Sequence, residues 1–252
     1  VNEAAFHAWA TWAEFILAGA ALAALVFVAA PYGRHRHPGW GPAMPNSVGW
    51  VVMELPAVLL FPAVYSLGGS RLEVVPLTLA ALWMLHYVYR AFVFPFLVRT
   101  RGKRMAVVVV AMGFAFNTLN AYLIARWIDH FGRYQPGWLR DPRFLCGVVL
   151  FAAGFALHFQ ADRLLIGLRR PGETGYRVPR GWLFEYVTCP NYLGEIVEWF
   201  GFALATWSLP GLAFALFTTA NLGPRAFSHR RWYRAAFADY PVERKALIPF
   251  VI

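Results

Sequence analysis

Seven long apolar runs, at about 9–30, 48–67, 73–97, 105–127, 144–161, 191–208 and 210–223, set the terms for what this chain folds into. Most approach the roughly 20 residues that an α-helix needs to cross the hydrocarbon core of a bilayer. One soluble core built from 252 residues is too small to hide them all. A charged fraction of 14%, about half that of an ordinary soluble domain, agrees. The expectation is an all-α, multi-pass membrane protein with seven transmembrane helices in a single domain, 1–252. The first run continues to Ala30 with no basic leader before it, so no cleavable signal is expected. Ser208-Leu209-Pro210-Gly211 reads as the turn of a helical hairpin. Pro62 and Pro95 are placed to kink or end their helices.

The basic residues set the orientation. Seventeen of the 23 Lys and Arg fall in 31–47, 98–104, 162–190 and the tail beyond 224, whereas Arg71, Arg133, Arg140 and Arg143 fall in the other connections. By the positive-inside rule the N-terminus is expected outside and the C-terminus in the cytosol. The net charge of +10 is then a topology signal facing anionic lipid, not a nucleic-acid surface. Two cysteines, Cys146 in an apolar run and Cys189 in a connection, offer neither a disulfide framework nor a zinc pattern. Both read as structural, and no metal is expected.

Ionisable groups inside apolar runs are costly and mark function by default. They are Glu14, Glu54, His86, Arg90, Arg126, His158, Glu195 and Glu198, with Tyr87, Asn117 and Asn120 as polar neighbours. Glu54 sits in the middle of Trp50-Val-Val-Met-Glu-Leu-Pro56. Desolvation disfavours a lone carboxylate there, and a neutral acid donates a hydrogen bond suited to polarising an enone. The alternative is a structural pair of Glu54 with Arg90 or His86. Tyr87 shares a helical face with Arg90; it is either a proton donor to a carbonyl oxygen or a buried tyrosine bonded to a neighbour.

The second half of the chain is richer. His158, Asp162 and Arg169 straddle the end of the fifth run, followed by 170–177 with Tyr176. Behind Pro190, Asn191, Glu195 and Glu198 fall on one helical face, as do Arg225, His229 and Tyr233. Arginines for phosphates, carboxylates and amides for ribose or carboxamide, and aromatics for ring faces suit a dinucleotide. No G-x-G-x-x-G follows a strand, so a Rossmann site is excluded. The bland alternative, arginines that only obey the positive-inside rule, leaves the spaced Asn, Glu and Tyr without a purpose.

The stretches 169–177, 191–199, 203–210, 223–227 and 239–250, with Glu54-Leu-Pro56, His86, Tyr87 and Arg90 upstream, resemble the steroid 5α-reductase family, the 3-oxo-5α-steroid 4-dehydrogenases. That resemblance implies seven helices, NADPH held in the cytosolic half and a steroid substrate that enters from the membrane. It implies Glu54 and Tyr87 as the catalytic pair, hydrogen-bonding the C3 carbonyl while hydride adds to C5 of a 3-oxo-4-ene steroid. It assigns cofactor contacts to His158, Asp162, Arg169, Tyr176, Asn191, Glu195, Arg225, His229 and Tyr233. Trp50 and Met53 fall in the substrate pocket; Met53 stands where many members have Gln, which bears on substrate range, and His158 where some have Asn. The rivals are a reductase of a sterol nucleus or trans-2-enoyl thioester, an S-adenosylmethionine-dependent membrane methyltransferase, and a non-catalytic sterol-binding or scaffold protein. The alanine- and arginine-rich composition points to a bacterial inner membrane, or to the endoplasmic reticulum if the source is eukaryotic.

Overall fold

A computed structural model describes residues 2–35, 38–98, 102–168, 173 and 175–252. Seven long helices follow one another among them. They are α1 (Glu3–Phe27), α2 (Asn46–Tyr65), α3 (Val74–Val88), α4 (Val107–Arg126), α5 (Pro142–Gly167), α6 (Pro190–Thr206) and α7 (Leu209–Ala236). The first five, with the short extensions of α3 to Leu97 and α4 to Phe131, are long and apolar enough to cross a membrane. Their outer faces carry large apolar side chains in the open, such as Trp9 at 76% and Phe27 at 87% exposure. Water does not tolerate apolar surface on that scale, so these faces belong in lipid.

The helix ends follow local chemistry. Asn2 and Asp141 cap α1 and α5 by accepting from Ala5 N (2.8 Å) and Arg143 N (2.8 Å), satisfying donors that a first turn leaves free. The expected hairpin turn is present. Trp207 adopts a left-handed conformation (φ 44°), and Ser208 Oγ accepts from Gly211 N at 3.0 Å to start α7. α7 runs on past the apolar run that ends at 223, through Pro224, to Ala236, as the helical spacing of Arg225, His229 and Tyr233 leads one to expect.

Pro95 acts as expected, by a specific route. Lacking an N–H, it leaves the carbonyl one turn back without a partner. The backbone widens into a π-helical turn, Tyr89–Val93, in which Phe94 N bonds to Tyr89 O, before resuming at Phe94–Leu97. A departure from the all-α expectation is a pair of three-residue strands, β1 (Ala43–Pro45) and β2 (Arg104–Ala106). They pair antiparallel in the register Ala43↔Ala106, Met44↔Met105 and Pro45↔Arg104, and so clip together the connections that lead into α2 and α4.

Packing between α5 and α6 is set by glycine. A Cβ on Gly147 or Gly154 would overlap the backbone of Ala205 or Glu198, and one on Gly194 or Gly201 would overlap that of His158 or Phe151. Small residues are what let membrane helices approach to backbone contact. Beside this seam Trp83, Trp199, Phe202 and Phe214 form the aromatic centre of the core, and Trp83 Nε1 donates to Ala57 O at 3.0 Å.

Candidate active site and cofactor cleft

The close α5–α6 seam brings His158 and Glu198 together, and α3 adds His86. Glu198 Oε1 lies 2.8 Å from His86 Nδ1 and Oε2 lies 3.1 Å from His158 Nδ1, all of them fully buried. A carboxylate bridging two imidazoles ties three helices at one point. The three groups have donor atoms within 4.8 Å of one another, the spacing of a metal site. Each is already matched to a hydrogen-bonding partner, so the bridge itself accounts for the cluster.

Beyond the bridge, His158 Nε2 lies 3.6 Å from Asp162 Oδ2. Neither atom has a hydrogen bond. If both His158 and His86 donate through Nδ1–H to Glu198, His158 Nε2 is an acceptor facing another acceptor. Arg90, from the π-helical turn, lies 3.9 Å from Asp162 and 3.8 Å from Glu195 and stacks on the Trp50 ring at 4.7 Å. Asn191, half-buried, is within hydrogen-bonding reach of Asp162.

Glu54 is buried on α2. The Asn117 amide on α4 donates to Glu54 Oε2 at 3.1 Å and to Met53 O at 2.8 Å. The structural pairing of Glu54 with His86 weighed from the sequence is thus corrected: His86 is turned to Glu198, and Arg90 makes its ion pairs with Asp162 and Glu195. Helical spacing fixes which residues share a face but not which helix that face meets. Tyr87 is buried one residue from His86, with ring centroids 5.0 Å apart, and lies within electrostatic reach of Glu54. Met53 leans on α4 over Gly113, where a Cβ would displace its side chain. Trp50 Nε1 and Tyr89 Oη complete a set of buried polar atoms without partners around this end.

A second cluster forms where the connection after α1 crosses α7. Arg225 Nε donates to Tyr192 Oη at 2.9 Å, Tyr192 Oη lies 3.1 Å from His229 Nε2, and His229 Nδ1 lies 3.0 Å from His35 Nε2. Arg225 also covers the Tyr32 ring at 3.5 Å. Arg34 donates to Tyr233 Oη at 3.2 Å and packs over the rings of Tyr233, Trp232 and Tyr176 at 4.3, 4.7 and 5.0 Å. Lys103 sits 3.9 Å over Tyr176. Arg34, Tyr176 and Tyr233 also line an open cleft toward Phe94 and Ile166. Burial, with Arg225 and Arg34 nearby, holds the His35 imidazole down to about 4, so it is neutral at pH 7. Arg34 Nη1 and Arg225 Nη1 are buried cationic donors without a partner.

The structure therefore gathers Arg225, His229, Tyr233 and Tyr176 at one pole, and His158, Asp162, Asn191 and Glu195 at the other. Arg169 lies outside the described residues. Arg34 and His35 were missed because short connections carry no periodicity; the Glu198 bridge and its glycine seam were missed because they are tertiary. Their one sequence signal was the seven-residue spacing shared by Gly147/Gly154 and Gly194/Gly201. Cys189 is buried, which pushes its thiol up to about 12, and Cys146 is free and exposed; neither belongs to the site.

Five helices long and apolar enough to cross a membrane, a secluded acid–imidazole centre and a cationic cleft at one end define a helical membrane protein built around interior polar sites. Residues 103–252 match the family model described as 3-oxo-5-alpha-steroid 4-dehydrogenase. Among curated proteins, the chain is 46% identical over 222 residues to 3-oxo-5-alpha-steroid 4-dehydrogenase 1 of Macaca fascicularis, covering 87% of this chain and 84% of that one. It is 45% identical over 222 residues to the Homo sapiens enzyme of the same name, covering 87% and 85%. It is 43% identical over 242 residues to steroid 5-alpha-reductase DET2 of Gossypium hirsutum, covering 94% of each. The chain belongs to the 3-oxo-5-alpha-steroid 4-dehydrogenase family and is an oxidoreductase of steroid metabolism.

Proposed function

We propose that this enzyme uses NADPH to reduce the C4=C5 bond of a membrane-dissolved 3-oxo-4-ene steroid, giving the 5α-dihydro product. The carrying observation is the seclusion of Glu54 and Tyr87 together in the protein interior, with a neutral amide, Asn117, as the hydrogen-bond partner of Glu54. Glu54 with its proton retained and the Tyr87 hydroxyl donate hydrogen bonds to the C3 carbonyl oxygen. Negative charge grows on that oxygen as the enone is reduced, so donors fixed there stabilise the transition state by about 3 kcal/mol each. Exclusion of water strengthens both donors and protects the reducing equivalent. C4 then takes its proton from a nearby donor, or from solvent admitted once the hydride has been transferred.

The residues fit the cofactor. The unpartnered Arg34 Nη1 and Arg225 Nη1 suit phosphate oxygens, and Tyr176 and Tyr233 offer ring faces. With His158 donating through Nδ1–H to Glu198, its Nε2 and Asp162 Oδ2 are two acceptors without a partner and suit the two N–H groups of a primary carboxamide. Arg169, Asn191, Glu195 and His229 complete the assigned contacts. When bound, NADPH supplies the hydride that adds to C5. The chain works as one domain, with its first half forming the substrate pocket around Trp50, Met53, Glu54 and Tyr87 and its second half holding the cofactor. All seven helices span the membrane, N-terminus outside and C-terminus in the cytosol, in a bacterial inner membrane or, in a eukaryote, the endoplasmic reticulum.

The test is an assay of the detergent-solubilised enzyme with testosterone or progesterone, following NADPH loss and the mass and stereochemistry of the product. A 5α-dihydro steroid is expected. Glu54→Ala should lower kcat by about 10²–10³-fold, and Tyr87→Phe should lower kcat while sparing NADPH affinity. Turnover by Glu54→Ala at the wild-type rate removes Glu54 from catalysis, and equal loss of kcat and NADPH affinity in Tyr87→Phe removes Tyr87.

A further inference from the structure

Glu14 on α1 and Asn120 on α4 are completely buried and take no part in the site described above. Both oxygens of Glu14 and both amide atoms of Asn120 lack a hydrogen-bond partner among the described residues. Buried polar groups left in this way are expensive, and two of them on neighbouring helices need an explanation.

Their relative position follows from two contacts. Glu3 pairs with Arg126 at 2.6 Å, and His7 Nε2 lies 3.0 Å from Leu123 O. Numbers rise along α1 as they fall along α4, so the helices are antiparallel. At 1.5 Å rise per residue, Glu14 reaches about the depth of Asn117, with Asn120 one turn nearer the His7 end. Side chains tilt toward the N-terminus of their own helix. On antiparallel helices the tilts are opposed, so the Glu14 carboxyl leans toward the level of Asn120 and the Asn120 amide leans back toward Glu14. The buried stripe of α1 is His7, Ala10, Thr11, Glu14 and Ala18; the Thr11 hydroxyl is committed to His7 O at 2.9 Å, so no side chain of this stripe donates to the carboxyl.

The same region borders the candidate catalytic pair. Asn117, which shares a face with Asn120 at i, i+3, holds Glu54, and Tyr87 lies within electrostatic reach of Glu14. We propose that Glu14 and Asn120 form a second polar subsite of the substrate pocket, which receives a hydroxyl group on the end of the steroid remote from its 3-carbonyl. A hydroxyl is the group that both donates, to a Glu14 oxygen, and accepts, from the Asn120 amide. The subsite would orient the steroid by its two polar ends, and it rests on the reading of Glu54 and Tyr87 as carbonyl donors.

The experiment measures equilibrium binding to the full-length protein in detergent, without turnover, of testosterone and of androst-4-en-3-one, which lacks the 17-hydroxyl. Glu14→Leu and Asn120→Leu should each weaken testosterone about tenfold and leave androst-4-en-3-one within about twofold. Glu14→Gln keeps an acceptor and should hold testosterone within about threefold of wild type. If leucine is not tolerated, Glu14→Ala and Asn120→Ser give the same ratio. Equal weakening of both steroids, as for two side chains joined by an enclosed water, overturns the proposal, and so does no weakening of either. Glu54→Ala separates this from the carbonyl reading. It should weaken both steroids alike, and if it weakens neither, the carbonyl reading fails while the Glu14 ratio is still read by itself.

Discussion

Tyr192 has one hydroxyl proton to give, and that fixes the direction of hydrogen bonding across the cationic cleft. Its oxygen accepts from Arg225 Nε, so its proton goes to His229 Nε2. His229 must then carry its own proton on Nδ1 and donate it to His35 Nε2, which leaves His35 to accept as a neutral ring. Burial and the arginines hold His35 down to about 4, below the roughly 6.5 of an unfolded histidine. The unfolded chain therefore binds more protons between those values. Stability from this chain of bonds is present above about pH 6.5 and is lost as pH falls toward 4. His35→Phe keeps a ring to stack on His229 and cannot titrate. Melting curves in detergent between pH 7.5 and 4 should fall less steeply for the variant than for wild type; parallel curves would show that His35 does not carry this dependence. At this scale the sequence was informative about identity and poor at pairing. Glu54, Tyr87, His158 and Asp162 stand out because charge and hydroxyl groups are conspicuous in apolar runs. That His86 and His158 share Glu198 depends on helices 40 and 112 residues apart in sequence, which no periodicity encodes.

Between helices, the decisive contacts are made by residues with no side chain. Gly154 lies against Glu198 and Gly194 against His158, so the seam and the imidazole–carboxylate bridge are one construction. A methyl group at either glycine must push the backbones apart, because the atoms it meets are main-chain and cannot turn aside. Gly154→Ala is expected to cost about 1–3 kcal/mol by overpacking and to lower activity with it as Glu198 moves off His158. Gly19→Ala on α1, where a Cβ meets nothing within 4 Å, is the matched control and should be neutral or slightly stabilising through helix propensity. Unfolding midpoints of the two variants measure this directly, and equal midpoints would mean the seam has room to spare. The existence of the helices was legible from apolar length, and the α6–α7 turn from Ser208 and Pro210. The π-helical turn was legible only as a disturbance at Pro95. Which way it resolves, a kink or a widened turn that keeps Arg90 facing Asp162 and Glu195, depends on the partners Arg90 finds.

For the molecule as a whole, length and charge decide how the last hairpin sits. The 17 residues of α6 reach about 26 Å at 1.5 Å per residue, just short of the roughly 30 Å hydrocarbon core. The 28 residues of α7 reach about 42 Å, so in the proposed seven-span arrangement Arg225, His229 and Tyr233 lie beyond it. The turn between them is held at the far end, where Tyr134 Oη donates to Thr206 O and Trp138 Nε1 to Ala205 O, both at 3.0 Å. Arg143 covers Trp138 and Trp207 there at 4.6 and 4.9 Å, an arrangement suited to a membrane interface. The cationic cleft is then at the opposite end, on the side richer in Lys and Arg. This orientation is testable with the native cysteines as a quiet background, since the Cys189 thiol is buried and pushed up to about 12 and Cys146 lies on the outer face of α5. Gly137→Cys, in the exposed connection before α5, should react with a membrane-impermeant thiol reagent on intact cells. Arg234→Cys, exposed near the end of α7, should react only after the membrane is opened. The reverse pattern would turn the molecule over and place the cationic cleft away from cytosolic NADPH, and the proposed cofactor assignment would fall with it.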